Sequence, residues 1–140
     1  MLNEKELLRI KEAISQAEKS TSGEIRVCVA KRCDGSALQA AVKKFHEIKM
    51  DATQLRNAVL VYVCPESQKA AIIGDMGINK IAHEDFWDTA LNDMLTYFKQ
   101  GEIAEGICQS VQKVGELIKV HYPISENDIN ELSDDVILEK

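Results

Sequence analysis

The sequence predicts an α/β fold, a small mixed central sheet flanked by helices on both faces. Three observations predict it. Segments with apolar residues at three- and four-residue spacing alternate with short β-branched runs. The run Asn57–Val63 is apolar at nearly every position, which suits a central strand covered on both faces. Finally, the short turn-rich stretch Cys64–Lys69 makes strands 57–63 and 70–74 an antiparallel hairpin, whereas a helix separates strand 24–30 from strand 57–63 and makes that pair parallel.

Taken in order, residues 3–20 read as a helix, with Leu7, Ile10, Ile14 and Ala17 on one face and Asn3 with Glu6 as a cap. Ser20–Gly23 ends it, and Glu24–Ala30 is a strand. Asp34 or Ser36 can cap a second helix, about 36–49, facing inward through Leu38, Ala41, Val42, Phe45 and Ile48. After the hairpin, a third helix is expected near 80–99, with Trp87, Leu91, Met94, Leu95 and Phe98 inward and Gly101 as its stop. A fourth, about 102–120, carries Ile103, Ile107, Val111, Val114 and Ile118 and must lie antiparallel to the third. Residues 1–123 are thus one domain, and 124–140 an acidic C-terminal tail that forms a short helix or an edge strand.

The 140 residues, 45% hydrophobic and 29% charged, suit a globular chain of ordinary size with a core of its own. The net charge of −6 sits mostly in the tail, where six acids face one base, while the other 123 residues carry 17 acids and 16 bases. No basic block offers a nucleic-acid footprint, and no apolar run reaches the length of a membrane span. The four cysteines lack zinc spacing. Cys28, Cys64 and Cys108 fall at core-like positions, Cys33 falls in a loop where exposure is expected, and no secretion signal begins the sequence. A reduced, cytoplasmic monomer is the expectation.

Chemistry concentrates where the hairpin ends. Gly74 and Gly77 frame Asp75, and the next helix opens with Glu84, Asp85 and Asp88. The topology gathers these on one edge with Glu24, Arg56 and Asn57. Carboxylates crowded at a strand-to-helix turn are hard oxygen ligands suited to Ca²⁺ or Mg²⁺, and an ion would relieve their repulsion. A helix N-terminus dressed with acids to match its dipole explains Glu84 and Asp85 equally well. Three scattered histidines make no zinc site, no serine is paired with a histidine, and no phosphate-binding glycine loop occurs.

At these residues the chain resembles the TPM domain family, named for a thylakoid-lumen phosphatase. The matching pieces are Thr21-Ser-Gly-Glu-Ile25, Arg56-Asn57 leading into Val59–Val63, Ile72-Ile-Gly-Asp-Met-Gly-Ile78, Asp85-Phe-Trp87, Met94, Phe98-Lys-Gln-Gly-Glu102 and Gly106-Ile107, within roughly residues 5–123. The resemblance implies an α/β/α sandwich, a Ca²⁺ or Mg²⁺ site in loops at one sheet edge, and the weak acid-phosphatase activity attributed to plant members. Many relatives carry a signal peptide and a membrane helix. This sequence shows neither, so a stand-alone bacterial cytosolic form is expected. The expectation is a cation-binding accessory or interaction protein with an unidentified protein partner. Its metal ligands are drawn from Asp75, Asp85, Asp88, Glu24 and Glu84, with Arg56 and Asn57 as rim or phosphate contacts. The alternative is a metal-dependent phosphatase acting on phosphomonoesters, which needs positive charge for the phosphoryl group.

Overall fold

The computed structural model describes residues 2–123 and 134–139, except for the side chain of Glu84. The elements are α1 (Glu4–Glu18), β1 (Glu24–Ala30), α2 (Ala37–Glu47), β2 (Ala58–Cys64), β3 (Lys69–Gly74), α3 (Met76–Asn79), α4 (Glu84–Lys99), α5 (Ile103–His121) and β4 (Ile137–Glu139). The sheet order is β3-β2-β1-β4. β1 runs parallel to β2 and β4, and β2 is antiparallel to β3, as the hairpin and the crossover helix require.

Alternation along the strands divides the core into two layers. Ile25, Val27, Val29, Val59, Val61 and Val63 meet α1, α4 and α5 on one face. Cys28, Ala30, Leu60, Tyr62 and Cys64 meet α2 and Met50 on the other. Both faces of β2 are therefore dry, which explains its unbroken apolar run. The Asn3–Glu6 capping box starts α1, and Gly101, at φ 78°, closes α4 in the left-handed conformation that glycine adopts without strain.

Three expectations are refined. The helix expected over 80–99 starts at Glu84, and a separate short turn, α3, precedes it, capped by Asp75. Cys33 is buried rather than exposed. Lys69 Nζ donates to the carbonyls of Cys33 (3.1 Å) and Gly35 (2.8 Å) and folds that loop down over the thiol. Residues 137–139 take the edge-strand form, parallel to β1, with Glu139 paired to Lys44 at 2.7 Å. Residues 124–133 of the acidic tail lie outside the described residues. All four cysteines are free, and no helix among the described residues is long and apolar enough to cross a membrane.

Candidate functional site

The edge where β1 and β2 begin and β3 ends is organised by Asp75. Its backbone N–H donates to Ala58 O at 2.9 Å, which carries the β2–β3 ladder one step past Gly74. Its Oδ1 accepts from Met76 N at 2.8 Å and caps α3. Both carboxylate oxygens are then gripped by Arg56, with Nε to Oδ2 at 2.6 Å and Nη2 to Oδ1 at 2.9 Å, a bidentate charge-assisted fork. Arg56 stands at φ 51°, a left-handed backbone that turns the chain into β2. Its hydrogen bonds to Asp75 raise its already high pKa.

The two framing glycines are explained by close approach rather than by ion binding. A Cβ on Gly77 would lie 2.6 Å from the carbonyl oxygens of both Arg56 and Leu55, and one on Gly74 would lie 2.9 Å from Ile78 Cγ2. Gly77 N donates to Arg56 O, and Tyr122 Oη donates to Gly77 O, each at 2.9 Å. The end of α5 is thereby tied to the turn that holds Asp75.

The remaining expected residues whose side chains are described make no hydrogen bond or ion pair with the Asp75 side chain. Glu24 is buried beside Ala58 on β1, two strand spacings away or roughly 9.5 Å. Asn57 is also buried. Its side chain donates to Ser22 O at 3.3 Å, and its carbonyl accepts from Glu24 N at 3.3 Å, so it stitches strand openings together. Asp85 and Asp88 are exposed on α4, and only Asp88 shares a cavity lining with Asp75. The Glu84 side chain lies outside the described residues. Among the described residues, no group of three or more His, Cys, Asp or Glu is arranged to hold a metal ion. At Asp75 the donor set does not fit one, since Arg56 already occupies both oxygens. Repulsion at this edge is relieved by an arginine.

Carboxylates do crowd at a place the sequence reading did not single out. Glu18 ends α1 and accepts from Ile25 N at 2.7 Å through Oε2. Burial raises its pKa far above the usual carboxylate range, and a hydrogen bond with Asp134 and the nearby charge of Glu24 raise it further. The protonated form of Glu18 is thereby favoured. Asp134 comes from the far end of the chain, so no local spacing announces this cluster. The only hint is Glu18 and Glu24 flanking the Thr21-Ser-Gly turn.

A cavity of about 550 Å³ also opens along β3, between α2 and α4. Its walls are mainly apolar, from Leu38, Val42 and Phe45 on one side and Trp87 and Leu91 on the other.

A family model described as the TPM domain matches residues 1–117. Among solved structures, the chain is similar to the BA42 protein of the psychrophilic bacterium Bizionia argentinensis, with 39% identity over 99% of this chain and 95% of that one and a TM-score of 0.90. The N-terminal domain of the cg2496 protein of Corynebacterium glutamicum shares 17% identity over 84% of this chain and 74% of that one, at a TM-score of 0.67. An N-terminal domain of a protein from P. gingivalis shares 14% over 86% and 78%, at 0.71. These last two show likeness of fold alone. No curated protein matches the chain.

Proposed function

We propose, from the premise that this chain belongs to the TPM domain family, that it works as a binding module, an accessory or interaction protein responsive to Ca²⁺ or Mg²⁺, and not as a phosphatase. The observation that carries this reading is the Arg56–Asp75 fork. Phosphoryl transfer at this edge needs Asp75 as nucleophile or metal ligand and Arg56 as the cation for the phosphate. Each group is consumed by the other. Of the expected ligands whose side chains are described, Glu24 is the one set beside Glu18, whose protonated form is favoured by its surroundings. Among the described residues, the carboxylates there are not arranged as a ready ion site, so an ion would have to displace the proton and draw Glu18 and Glu24 together, and a reduced cytoplasmic setting accords with four free thiols.

The test is thermal unfolding with added CaCl₂ or MgCl₂, reversed by EDTA. An ion that binds only the folded chain stabilises it by about 2.7 kcal/mol at a hundredfold excess over Kd. Glu24→Gln should abolish the gain, and Asp75→Asn should keep it. If Asp75→Asn alone abolishes it, the fork opens for the ion and the sequence-based ligand set returns. No gain in the wild type removes the cation. Hydrolysis of p-nitrophenyl phosphate that is lost in Asp75→Asn would overturn the binding-module reading in favour of the phosphatase.

A further inference from the structure

β3 is an edge strand, and the two helices beside it leave that edge open. In the antiparallel pairing with β2, Asp75 directs its N–H inward to Ala58. Alternation then turns Ile73 and Ala71 inward as well, and aims the N–H and C=O groups of Ala70, Ile72 and Gly74 outward. Asn79 Nδ2 satisfies Gly74 O at 2.9 Å and so ends the open edge. Ala70 and Ile72 take no such partner among the described residues. Two consecutive outward rungs are left facing the cavity.

The walls of that cavity repeat the pattern a strand would need. Leu38 and Val42 of α2 and Met76 of α3 are large apolar side chains left exposed there, three of seven such exposed residues among the described ones. Trp87 and Leu91 of α4 stand opposite. A strand added to β3 would point alternate side chains to the two walls. Charge chooses among occupants. Of the charged residues lining the cavity, Asp75 is neutralised by Arg56, and His46 lies 3.4 Å from Asp51. Asp88 alone is exposed and makes no ion pair among the described residues.

We propose that this groove receives an extended segment of a protein partner as a fifth strand on β3, with apolar residues at alternate positions and an arginine or lysine meeting Asp88. It rests on the binding-module reading but not on the cation. An open edge of this kind is otherwise a liability for aggregation, which natural sheets cover or blunt.

The probes are two synthetic peptides without added metal, acetyl-Thr-Val-Arg-Val-Thr-Val-Thr-amide and its counterpart with glutamate in place of arginine. Fluorescence anisotropy reads affinity, and amide exchange by NMR reads location. The arginine peptide should bind more tightly than the glutamate peptide by up to about fivefold, the upper end of what an exposed ion pair contributes. It should slow exchange at Ala70 and Ile72, which exchange freely without it. Asp88→Lys should reverse the preference. Val42→Asp, at an exposed position that leaves folding intact, should weaken both peptides by about tenfold. Equal binding of both peptides by the wild type, or protection elsewhere, overturns the proposal. If Ala70 and Ile72 are protected in the free protein in a concentration-dependent way, the occupant is a second copy and the proposal falls. The cation response is measured separately, so either can fail without the other.

Discussion

Gly77→Ala tests the construction of the Asp75 turn most directly. The added methyl would sit 2.6 Å from two backbone carbonyl oxygens and 2.9 Å from Tyr122 Oη. Ordinary C···O approach is about 3.3 Å or more, so the Leu55–Arg56 backbone must retreat by roughly 0.7 Å. It is not free to do so without loss, because Arg56 O accepts from Gly77 N and the Arg56 side chain holds Asp75. Overpacking of this kind costs about 1–3 kcal/mol, and loss of one buried hydrogen bond adds about 1. A total near 2–4 kcal/mol is a large share of the ~5–15 kcal/mol that holds a domain folded. At roughly 3 °C per kcal/mol for a chain of this size, Tm should fall by about 6–12 °C. Thermal and urea unfolding followed by circular dichroism would read it. Gly35→Ala is the control, since a Cβ there meets nothing within 4 Å. If the two substitutions are indistinguishable, close approach is not why glycine stands at position 77.

Other outcomes follow from the same geometry. Glu18 has its folded pKa raised above its ordinary value of 4.5, so its contribution to stability is whole below pH 4.5 and is lost as pH rises toward the folded pKa. Glu18→Gln should therefore flatten the pH dependence of urea unfolding, leaving stability near pH 4 unchanged and raising it at pH 8; a variant as pH-sensitive as the wild type would refute the shared proton. Tyr122→Phe removes the hydrogen bond to Gly77 O and should cost about 1 kcal/mol, with Tm down by about 3 °C. Native thiols should alkylate slowly, with the half-buried Cys108 first and Cys28 last. Burial pushes the Cys28 thiol up to about 12 and also raises that of Cys108, which mass spectrometry of a timed iodoacetamide reaction checks.

The layers and their order were legible because burial writes itself into periodicity. The run Ala58–Cys64 could hardly be anything but a strand dry on both faces, and the short Cys64–Lys69 turn fixed its antiparallel neighbour. The edge that gathers Arg56, Asn57 and Asp75 was legible for the same reason. What these residues do to one another was not. Sequence spacing counts charges on an edge but does not distinguish an arginine that faces solvent from one that closes a fork on the nearest aspartate. Nor does it reveal that two glycines flank Asp75 to admit carbonyls and a tryptophan, or that Asp134 returns to Glu18 from the opposite end of the chain. Cys33 looked exposed because its neighbours are turn residues, and only the distant Lys69 buries it.

The parallel strand β4 has a kinetic consequence. Residues 137–139 leave the ribosome after every other strand and helix described here, so the first three strands and five helices can assemble before β4 arrives. Its three residues then close a loop of more than a hundred positions onto β1, a contact of very high sequence separation and little local reward. Such a strand forms late and opens early, as a unit of lower stability than the sheet it extends. Hydrogen exchange should find Lys31 N–H, which donates to Glu139 O at 3.0 Å, opening well below the free energy of the β1–β2 ladder. During those openings β1 is itself an edge, so the sheet alternates between three strands and four on a timescale shorter than global unfolding.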